Sequence, residues 1–263
     1  MKPYLFWILA LLYSLHVPAI QAEELSGRDV MLKVEAIDRS YSDRHIINTM
    51  IVKRGNEQLI RKMESYTKKY GKDRQDDRTY IRFLEPADAK DTQYLTWSWE
   101  DLSRGDDMWI YMPAESLTRR VSSGGRKGAF MRSDIANEDI QKRSIDAFNY
   151  KLLNSEKIDG VDCWVVEMTP IPSIEDETSY SKRIFFVRQD IHLPAKIDYY
   201  DKRGRLLKLE THGRYKQIDG VWTATKLLFT TPDRGTTTIM DRSEVTYNQG
   251  VDETLFQPQN LKR

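Results

Sequence analysis

From residue 43 onward, apolar and polar residues mostly alternate one by one, the period of β-strands that bury one face. Residues 45–53 and 57–70 form two such runs, and Arg54-Gly55-Asn56 between them is a turn sequence. Shorter runs follow at residues 78–84, 92–99 and 108–112. Further hairpin turns are predicted at Asp159-Gly160, Arg203-Gly204, Asp219-Gly220 and Asp233-Arg234-Gly235. This spacing predicts about ten or eleven strands in one antiparallel sheet or barrel.

A helical pattern precedes the first strand. Ser26 stands three residues before Asp29, which is the spacing of a helix capping box. Val30, Val34 and Ile37 then recur at helical spacing. We therefore expect a capped helix that packs its apolar side inward.

A second departure from the strand period lies in the middle of the chain. Residues 122–128 form a loop rich in glycine and basic residues. In the segment that follows, Ser133 or Asp134 would cap a short helix with Ile135 and Ile140 on one side. Such a helix would pack on the concave face of the sheet.

The first 22 residues differ from the rest of the chain. A basic start, an apolar run over residues 5–17 and a stretch of mostly small residues up to Ala22 are the layout of a secretory signal peptide. The apolar run of about 13 residues is shorter than the roughly 20 that span a bilayer as a helix. We expect cleavage after Ala22 and one domain over residues 23–263.

Charge and cysteine content exclude several classes of protein. Removing Lys2 from the 41 basic residues leaves 40, equal to the number of acidic residues, so the sequence predicts no nucleic-acid partner. The lone Cys163 cannot form an intramolecular disulfide and is expected to be buried. The spaced Cys and His pairs of a zinc site are absent from the sequence, and we predict neither a metal nor a cofactor.

The sequence does not contain the usual motifs of an enzyme. It has no G-x-S-x-G elbow, no H-E-x-x-H pair and no Walker loop. His45, His192 and His212 are far apart in the chain, so a catalytic triad would have to be assembled by the fold. We expect a protein without enzymatic activity.

Large aromatic residues fall on alternating positions of several predicted strands. Trp97 and Trp99 share one strand face, Trp109 and Tyr111 share another, and Trp164 lies on a third. A sheet of this size with one apolar face must curl to cover that face. Two interpretations stay open: a core filled by its own side chains, or a cavity for an acyl chain or another hydrophobic ligand.

Four blocks, taken in their order and spacing, resemble the LolA-like outer-membrane lipoprotein-sorting family, in particular the branch associated with RND-type exporters. They are residues 82–92, residues 108–114, residues 119–123, and Phe130-Met131-Arg132-Ser133-Asp134 followed by Glu138-Asp139. Arg132 stands where the family commonly has glycine. The resemblance implies a mainly β fold, a LolA/LolB-like half-open antiparallel β-barrel with helices covering the concave, apolar face.

The resemblance further implies a function. Such a protein is a periplasmic carrier that holds the acyl or lipid part of a lipoprotein or lipid and moves it from an inner-membrane RND-type transporter toward an outer-membrane acceptor. The residues expected to line its cavity are Trp97, Trp99, Trp109, Tyr111, Phe130, Met131 and Trp164. The residues expected to meet a partner or lipid headgroups, unless they are only solvated loop charge, are Arg119, Arg120, Arg126, Lys127 and Arg132.

A second function is compatible with the same pattern. A non-carrying periplasmic adaptor subunit of an exporter would have a filled core and no lipid. In either case we expect a monomer. For a carrier, the helix starting after Ser26 and the helix after Phe130 are the expected lids, since helices held by side-chain contacts can shift without breaking the sheet.

Overall fold

The computed structural model describes residues 24–261, so the predicted signal peptide lies outside the described residues. One long helix, α1 (Gly27–Asp38), precedes the strands, and a four-residue helix, α2 (Ser123–Arg126), follows the sixth of them. The strands are β1 (Asp43–Arg54), β2 (Glu57–Tyr70), β3 (Asp76–Glu85), β4 (Gln93–Ser98), β5 (Asp107–Met112), β6 (Leu117–Arg120), β7 (Phe148–Ile158), β8 (Val161–Pro170), β9 (Tyr180–Arg188), β10 (Pro194–Asp201), β11 (Leu206–Ile218), β12 (Val221–Thr231) and β13 (Thr236–Tyr247).

All 13 strands belong to one antiparallel sheet, in the order β6-β5-β4-β3-β2-β1-β13-β12-β11-β10-β9-β8-β7. The edge strands β6 and β7 do not pair with each other, so the curled sheet does not close and forms a half-open barrel. The mainly β, half-open fold is as predicted, but the expected count of ten or eleven strands was too low. Both edge strands are largely exposed, and β6 has only four residues, so apolar alternation marks them weakly.

The helix at the start of the chain is confirmed. The Ser26 hydroxyl accepts a hydrogen bond from the backbone N–H of Asp29 at 3.1 Å, and the Asp29 carboxylate accepts one from the backbone N–H of Ser26 at 2.9 Å. This reciprocal pair is the predicted capping box. Val30 is fully buried where α1 packs on the concave side of β7 and β8.

The predicted hairpin turns are also present. Asp159 and Gly160 have φ values of 48° and 82°, and Asp219 and Gly220 have 48° and 81°. Two successive residues at positive φ match the right-handed twist of the flanking strands, which explains why Asp-Gly marks both turns.

Residues 121–147, hereafter the crossing segment, connect β6 to β7, the two opposite edges of the sheet. The segment therefore has to cross the open side of the barrel. The short α-helix expected after Phe130 is not formed; single 3-10 turns occupy Phe130–Arg132, Asn137–Asp139 and Ile145–Ala147 instead. Met131 and Arg132 have φ values of 49° and 61°, in the left-handed region, which interrupts a right-handed helix.

The two faces of the sheet are covered by different segments. Tyr94 on β4 packs in a concave cluster with Phe130 of the crossing segment. Its neighbour Leu95 points to the outer face and packs with Phe256 and Leu261 of the C-terminal segment, residues 248–261. Each face thus has its own apolar cover, as the alternation of side chains along a strand requires.

Candidate functional site

A cavity of about 350 Å³ lies between the concave face of the sheet and the crossing segment. This volume lies near the lower limit of the roughly 300–1,000 Å³ typical of ligand pockets. Its apolar lining consists of Ile46, Met63, Ile81, Phe130, Ile135, Ile140, Leu227, Phe229 and Met240. Its polar lining consists of Arg44, Asn48, Ser65, Thr67, Thr79, Asp139, Glu210, His212 and Arg242.

Strand register places a polar row at one end of this cavity. Arg44 pairs with Thr67 across β1 and β2, and Thr67 pairs with Thr79 across β2 and β3. Two residues further along, the next inward row contains Ile46 and Ile81 on either side of Ser65. The cavity therefore has a wholly polar row at one end and, beyond it, apolar residues interspersed with Ser65 and Asn48, a lining suited to an amphiphilic ligand.

Phe130 forms the apolar part of the cover. It is 1% exposed, and its ring centroid lies 4.9 Å from that of Tyr94 and 5.7 Å from that of Phe83. Met131 packs against the same cluster, and its carbonyl oxygen accepts a 2.9 Å hydrogen bond from Nη1 of Arg61. Of the residues expected to line a cavity, Phe130 lies in its wall and Met131 lies beside it.

Asp134 fixes the crossing segment to the sheet. Its carboxylate accepts hydrogen bonds from the hydroxyl groups of Thr231 (2.7 Å) and Thr238 (2.7 Å), and a further one from Thr236. The backbone N–H of Asp134 also donates to the Thr238 hydroxyl at 2.9 Å. Asp134 thus joins β12 and β13 to the crossing segment instead of capping a helix.

The acidic pair further along the segment has the same role. Glu138 accepts a hydrogen bond from the Thr178 hydroxyl at 2.6 Å and another from the backbone N–H of Ser179 at 3.0 Å. Asp139 accepts one from the Tyr180 hydroxyl at 2.9 Å and forms a buried ion pair with Lys208. The motif residues 133–139 therefore hold the roof of the cavity in place.

At the polar end, Glu210 is bound on both carboxylate oxygens. The Tyr199 hydroxyl donates to one at 2.5 Å, and Nε2 of His212 lies 2.8 Å from the other. Burial alone would raise the pKa of Glu210, but these bonds and the charge of His212 outweigh it, so its pKa lies below the ordinary value.

The C-terminal end of α1 is held by a buried charge network. Nζ of Lys69 lies 2.9 Å from Asp77 and also contacts Asp38 at the end of the helix, and Lys142 lies 2.7 Å from Glu35. Burial and the neighbouring charge of Asp38 raise the pKa of Asp77. These pairs connect α1, β2, β3 and the crossing segment.

Three of the predicted cavity residues lie on the opposite face of the sheet. Trp97, Trp109 and Tyr111 pack under the C-terminal segment, and Nε1 of Trp97 donates to the Phe256 carbonyl at 3.0 Å. They fill an outer core and do not line the cavity. The alternation correctly grouped them on one face, but it did not show which face is concave.

Trp99 and Trp164 are also outside the cavity. Trp99 follows the end of β4, stands at right angles to the Trp97 ring, and carries the Arg104 guanidinium 3.5 Å above its centroid. Trp164 packs in the α1 cluster and stacks on His192 at 5.9 Å. Both positions are explained by local packing.

The predicted basic surface is not one patch. Arg119 pairs with Glu115 and Arg120 with Asp107, both at the exposed edge strand β6. Arg126 is buried, 3.8 Å from Glu177, whereas Lys127 is exposed and donates to the Asp176 carbonyl at 2.6 Å. Arg132 lines a separate depression of about 460 Å³ at the β1–β2 hairpin.

The remaining groups that could carry chemistry are dispersed. His45 stacks on Tyr66 with ring centroids 4.3 Å apart. His192 stacks on Trp164 instead, in a different part of the chain. Cys163 is a buried free thiol, as expected, and burial raises its pKa. Over residues 24–261, no group of three or more His, Cys, Asp and Glu side chains is arranged to hold a metal ion. The helices of this same range are too short or too polar to cross a bilayer.

Comparison with solved structures decides the family. A DUF1329 family protein from Desulfovibrio piger ATCC 29098 is 39% identical, has a TM-score of 0.85, and matches over 89% of this chain and 97% of its own. The chain belongs to the DUF1329 family. A family model described as that of an uncharacterized protein matches residues 75–263. A search of curated proteins gives no match.

Two further solved structures share the fold of this DUF1329 protein. A candidate outer membrane lipoprotein-sorting protein domain from Vibrio parahaemolyticus is 29% identical, with a TM-score of 0.83 over 90% of this chain and 98% of its own. A LolA superfamily protein from Nitrosomonas europaea is 20% identical, with a TM-score of 0.70 over 89% and 98%. The predicted LolA-like resemblance is confirmed.

Sequence reasoning missed the charged residues of the cavity in this DUF1329 protein. Arg44 occupies an inward position of β1, Glu210 and His212 occupy inward positions of β11, and Arg242 occupies one of β13. Such residues could have been recognised by their positions, because a charged residue then falls on a strand face that also carries buried apolar residues. Arg242, for example, comes two residues after Met240.

Proposed function

We propose that this DUF1329 protein is a periplasmic carrier that binds the acyl or lipid part of a lipoprotein or lipid in the cavity under the crossing segment. The observation that carries the proposal is a cavity of about 350 Å³ whose lining combines nine apolar residues with a polar row at one end. Its similarity to a candidate lipoprotein-sorting domain supports the same function. Binding and release of cargo need no enzymatic step.

The apolar lining supplies the affinity. Burial of an acyl chain contributes about 0.8 kcal/mol per CH₂ group, so about ten buried methylenes would supply the roughly 8 kcal/mol of micromolar binding. Phe130 belongs to the wall that such a chain would contact, and Met131 packs next to it. These two are the predicted lining residues that we retain for the ligand site.

Helix α1 is the lid in this proposal. The crossing segment is fixed by the buried carboxylates of Asp134, Glu138 and Asp139, and moving it would break all of their hydrogen bonds. Of the residues of α1, by contrast, only Gly27, Val30 and Met31 are fully buried. The ion pairs of Lys69 and Lys142 hold the C-terminal end of α1, so the lid would open by a shift of its N-terminal part, which leaves the strand ladder intact.

The partners in this proposal are an inner-membrane RND-type transporter and an outer-membrane acceptor, with the carrier working as a monomer between them. Arg119 and Arg120 on edge strand β6 are exposed and lie beside acidic residues. Exposed charge at an edge steers association with a charged surface more than it stabilises the fold. Arg126 is buried and does not belong to such a surface.

The test is mass spectrometry of the protein purified from the periplasm under mild conditions and extracted for lipids and acylated peptides. The variant Ser65→Trp places an indole in the cavity, where Ser65 is part of the lining. The matched control Ser243→Trp adds the same group at an exposed position of β13. We expect cargo in the wild type and the control, and none in Ser65→Trp.

A clean spectrum for all three proteins, with no uptake of added lipid, would contradict the carrier. It would favour the second candidate, a non-carrying adaptor subunit of an exporter. The observation in favour of an adaptor is the extent to which buried hydrogen bonds fix the crossing segment over the cavity. Retention of cargo in folded Ser65→Trp would place the cargo elsewhere on the protein.

A further inference from the structure

Two arginine side chains at the polar end of the cavity have no acidic partner. Over residues 24–261, neither the Arg44 nor the Arg242 guanidinium lies within 4.0 Å of a carboxylate. Arg44 donates to the Thr67 hydroxyl at a long 3.4 Å, and Arg242 donates to the Ala224 carbonyl at 2.9 Å. Nε of Arg242 is buried without any hydrogen-bond partner among the described residues.

The three largely buried lysines of the same fold that bridge its segments are each paired with a carboxylate. Lys69 contacts Asp77 at 2.9 Å, Lys142 contacts Glu35 at 2.7 Å, and Lys208 forms a buried pair with Asp139. An unpaired charge removed from water is costly, which is why buried cations normally have acidic partners. Among the described residues, Arg61 also lacks a carboxylate within 4.0 Å, but it donates to the Met131 carbonyl and does not line this cavity. Arg44 and Arg242 differ from it because they lie side by side on a cavity wall, where a negative ligand can reach them.

Glu210, an acidic group on the cavity wall, is already bound by other side chains. Both oxygens of Glu210 are bound, one by Tyr199 at 2.5 Å and one by His212 at 2.8 Å. Burial, and then the charge of Arg44, lower the pKa of Arg242 to about 10, so the two guanidinium groups repel each other and both stay charged at neutral pH. Burial alone would lower the pKa of Arg44, but the charges of neighbouring groups, Asp38 and Asp77 among them, outweigh it and raise that pKa. The unbalanced positive charge therefore lies at Arg242.

Position along the cavity indicates how a ligand would lie. Arg44, His212 and Arg242 also line a second cavity of about 140 Å³, on the far side of these three residues, next to Val34 and Ile37 of α1. The charged groups thus stand between the apolar cavity and the region of α1, the proposed lid. A ligand with its chain among the apolar residues would present its head to the guanidinium groups.

We infer that Arg44 and Arg242 form an anion-binding subsite that selects cargo carrying a phosphate or carboxylate head next to its acyl chain. The inference rests on the proposed function and adds the chemical class of the cargo. Guanidinium groups suit this role because their planar donors match the oxygens of phosphate and carboxylate.

The test is equilibrium binding of lipids that share one oleoyl chain and differ in the head, below their critical micelle concentrations. The probes are 1-oleoyl lysophosphatidic acid, oleate and uncharged 1-oleoylglycerol, with inorganic phosphate alone as a fourth arm. We expect the wild type to bind lysophosphatidic acid or oleate at least about tenfold more tightly than 1-oleoylglycerol, as charge-assisted hydrogen bonds allow. Whichever anionic lipid binds more tightly identifies phosphate or carboxylate as the preferred head.

The variants separate a headgroup contact from a structural role. Arg242→Gln and Arg44→Gln are each expected to weaken the binding of the anionic lipids at least about fivefold. The affinity for 1-oleoylglycerol should stay unchanged, because only a charged head contacts these side chains. Arg203→Gln, which changes an exposed arginine in the turn between β10 and β11, is the matched control and should change neither affinity. Binding of 1-oleoylglycerol with wild-type affinity shows that each variant is folded.

Equal wild-type affinity for charged and uncharged lipids would overturn the subsite and leave the carrier standing. Equal weakening of all lipids in both variants would also overturn it, because the arginines would then act on the fold. Tight binding of inorganic phosphate that displaces no lipid would show an ion site unrelated to cargo. Failure of every lipid to bind the wild type would remove the carrier itself.

Discussion

Removal of the Asp134 carboxylate should loosen the roof of the cavity. Asp134 is 8% exposed and accepts hydrogen bonds from the hydroxyl groups of Thr231, Thr236 and Thr238. Asp134→Ala leaves these hydroxyls without their acceptor. A net contribution of about 1.5–3 kcal/mol per hydrogen bond to a charged group sets the upper limit.

The simple sum over three bonds overestimates the loss, because the hydroxyls rotate and water enters the gap. Each buried hydroxyl left unsatisfied costs about 1–3 kcal/mol, and we expect the three together to decrease the free energy of unfolding by about 3–5 kcal/mol. The measurement is guanidinium chloride denaturation of the purified wild type and variant. Asp88→Ala, at an exposed position without a hydrogen-bond partner in the described chain, is the control and should change stability by less than about 0.5 kcal/mol.

Hydrogen exchange locates the effect. Amides of residues 130–136 should exchange faster in Asp134→Ala, while those of β7 and β8 stay protected. A double-mutant cycle with Thr238→Val, whose wild-type side chain is fully buried, should give a coupling energy of about 0.5–3 kcal/mol. A total loss below about 1 kcal/mol, or unchanged exchange at residues 130–136, would refute the assignment of Asp134 as the anchor of the crossing segment.

Four further outcomes are expected. Gly27→Ala should destabilise the docking of α1, because an added Cβ would lie 2.7 Å from a backbone nitrogen of β7. In the control Gly105→Ala the added Cβ meets no atom within 4 Å, and the denaturation midpoints of the two variants are compared. Phe256→Ala should cost about 3–5 kcal/mol by the same assay, because this fully buried ring fills the outer core, and a cost under 1 kcal/mol would contradict that packing. Arg132→Gly should stabilise by about 1 kcal/mol, since φ is 61° there, and a loss of stability would mean that the arginine side chain outweighs the backbone strain. Glu210→Gln should lower the free energy of unfolding more at pH 7 than at pH 4. The pKa of Glu210 in the folded protein lies below its ordinary value, so the ionised carboxylate stabilises the fold above the ordinary pKa and this contribution is lost as the pH falls. An equal loss of stability at both pH values would contradict this role of the carboxylate.

Local features of the fold were predictable from short stretches of sequence. The capping box at Ser26 and Asp29 and the Asp-Gly turns depend on residues within four positions of each other. The alternation in β4 and β5 correctly placed Trp97, Trp109 and Tyr111 together. In each case the interaction that decides the structure is contained in the segment itself.

The failed helix after Phe130 shows where local information ends. Ser133 and Asp134 have the residue types of a helix cap, yet the Asp134 carboxylate is bound by threonines about 100 residues away in the chain. Contacts across that separation depend on β12 and β13 lying beside the concave face. The resemblance to a known family marked residues 130–139 as significant, but their structural role became visible only in the fold.

The sequence alone determined the strand period, the hairpin turns, the first helix and the grouping of side chains by face. Each of these features depends on residues that are only a few positions apart in the chain. It did not determine which face became the cavity. A strand of period two has two equivalent faces until another segment covers one of them. Here the crossing segment covers one face and the C-terminal segment the other, and this long-range choice placed the tryptophans in the outer core and Arg44 and Arg242 at the end of the cavity.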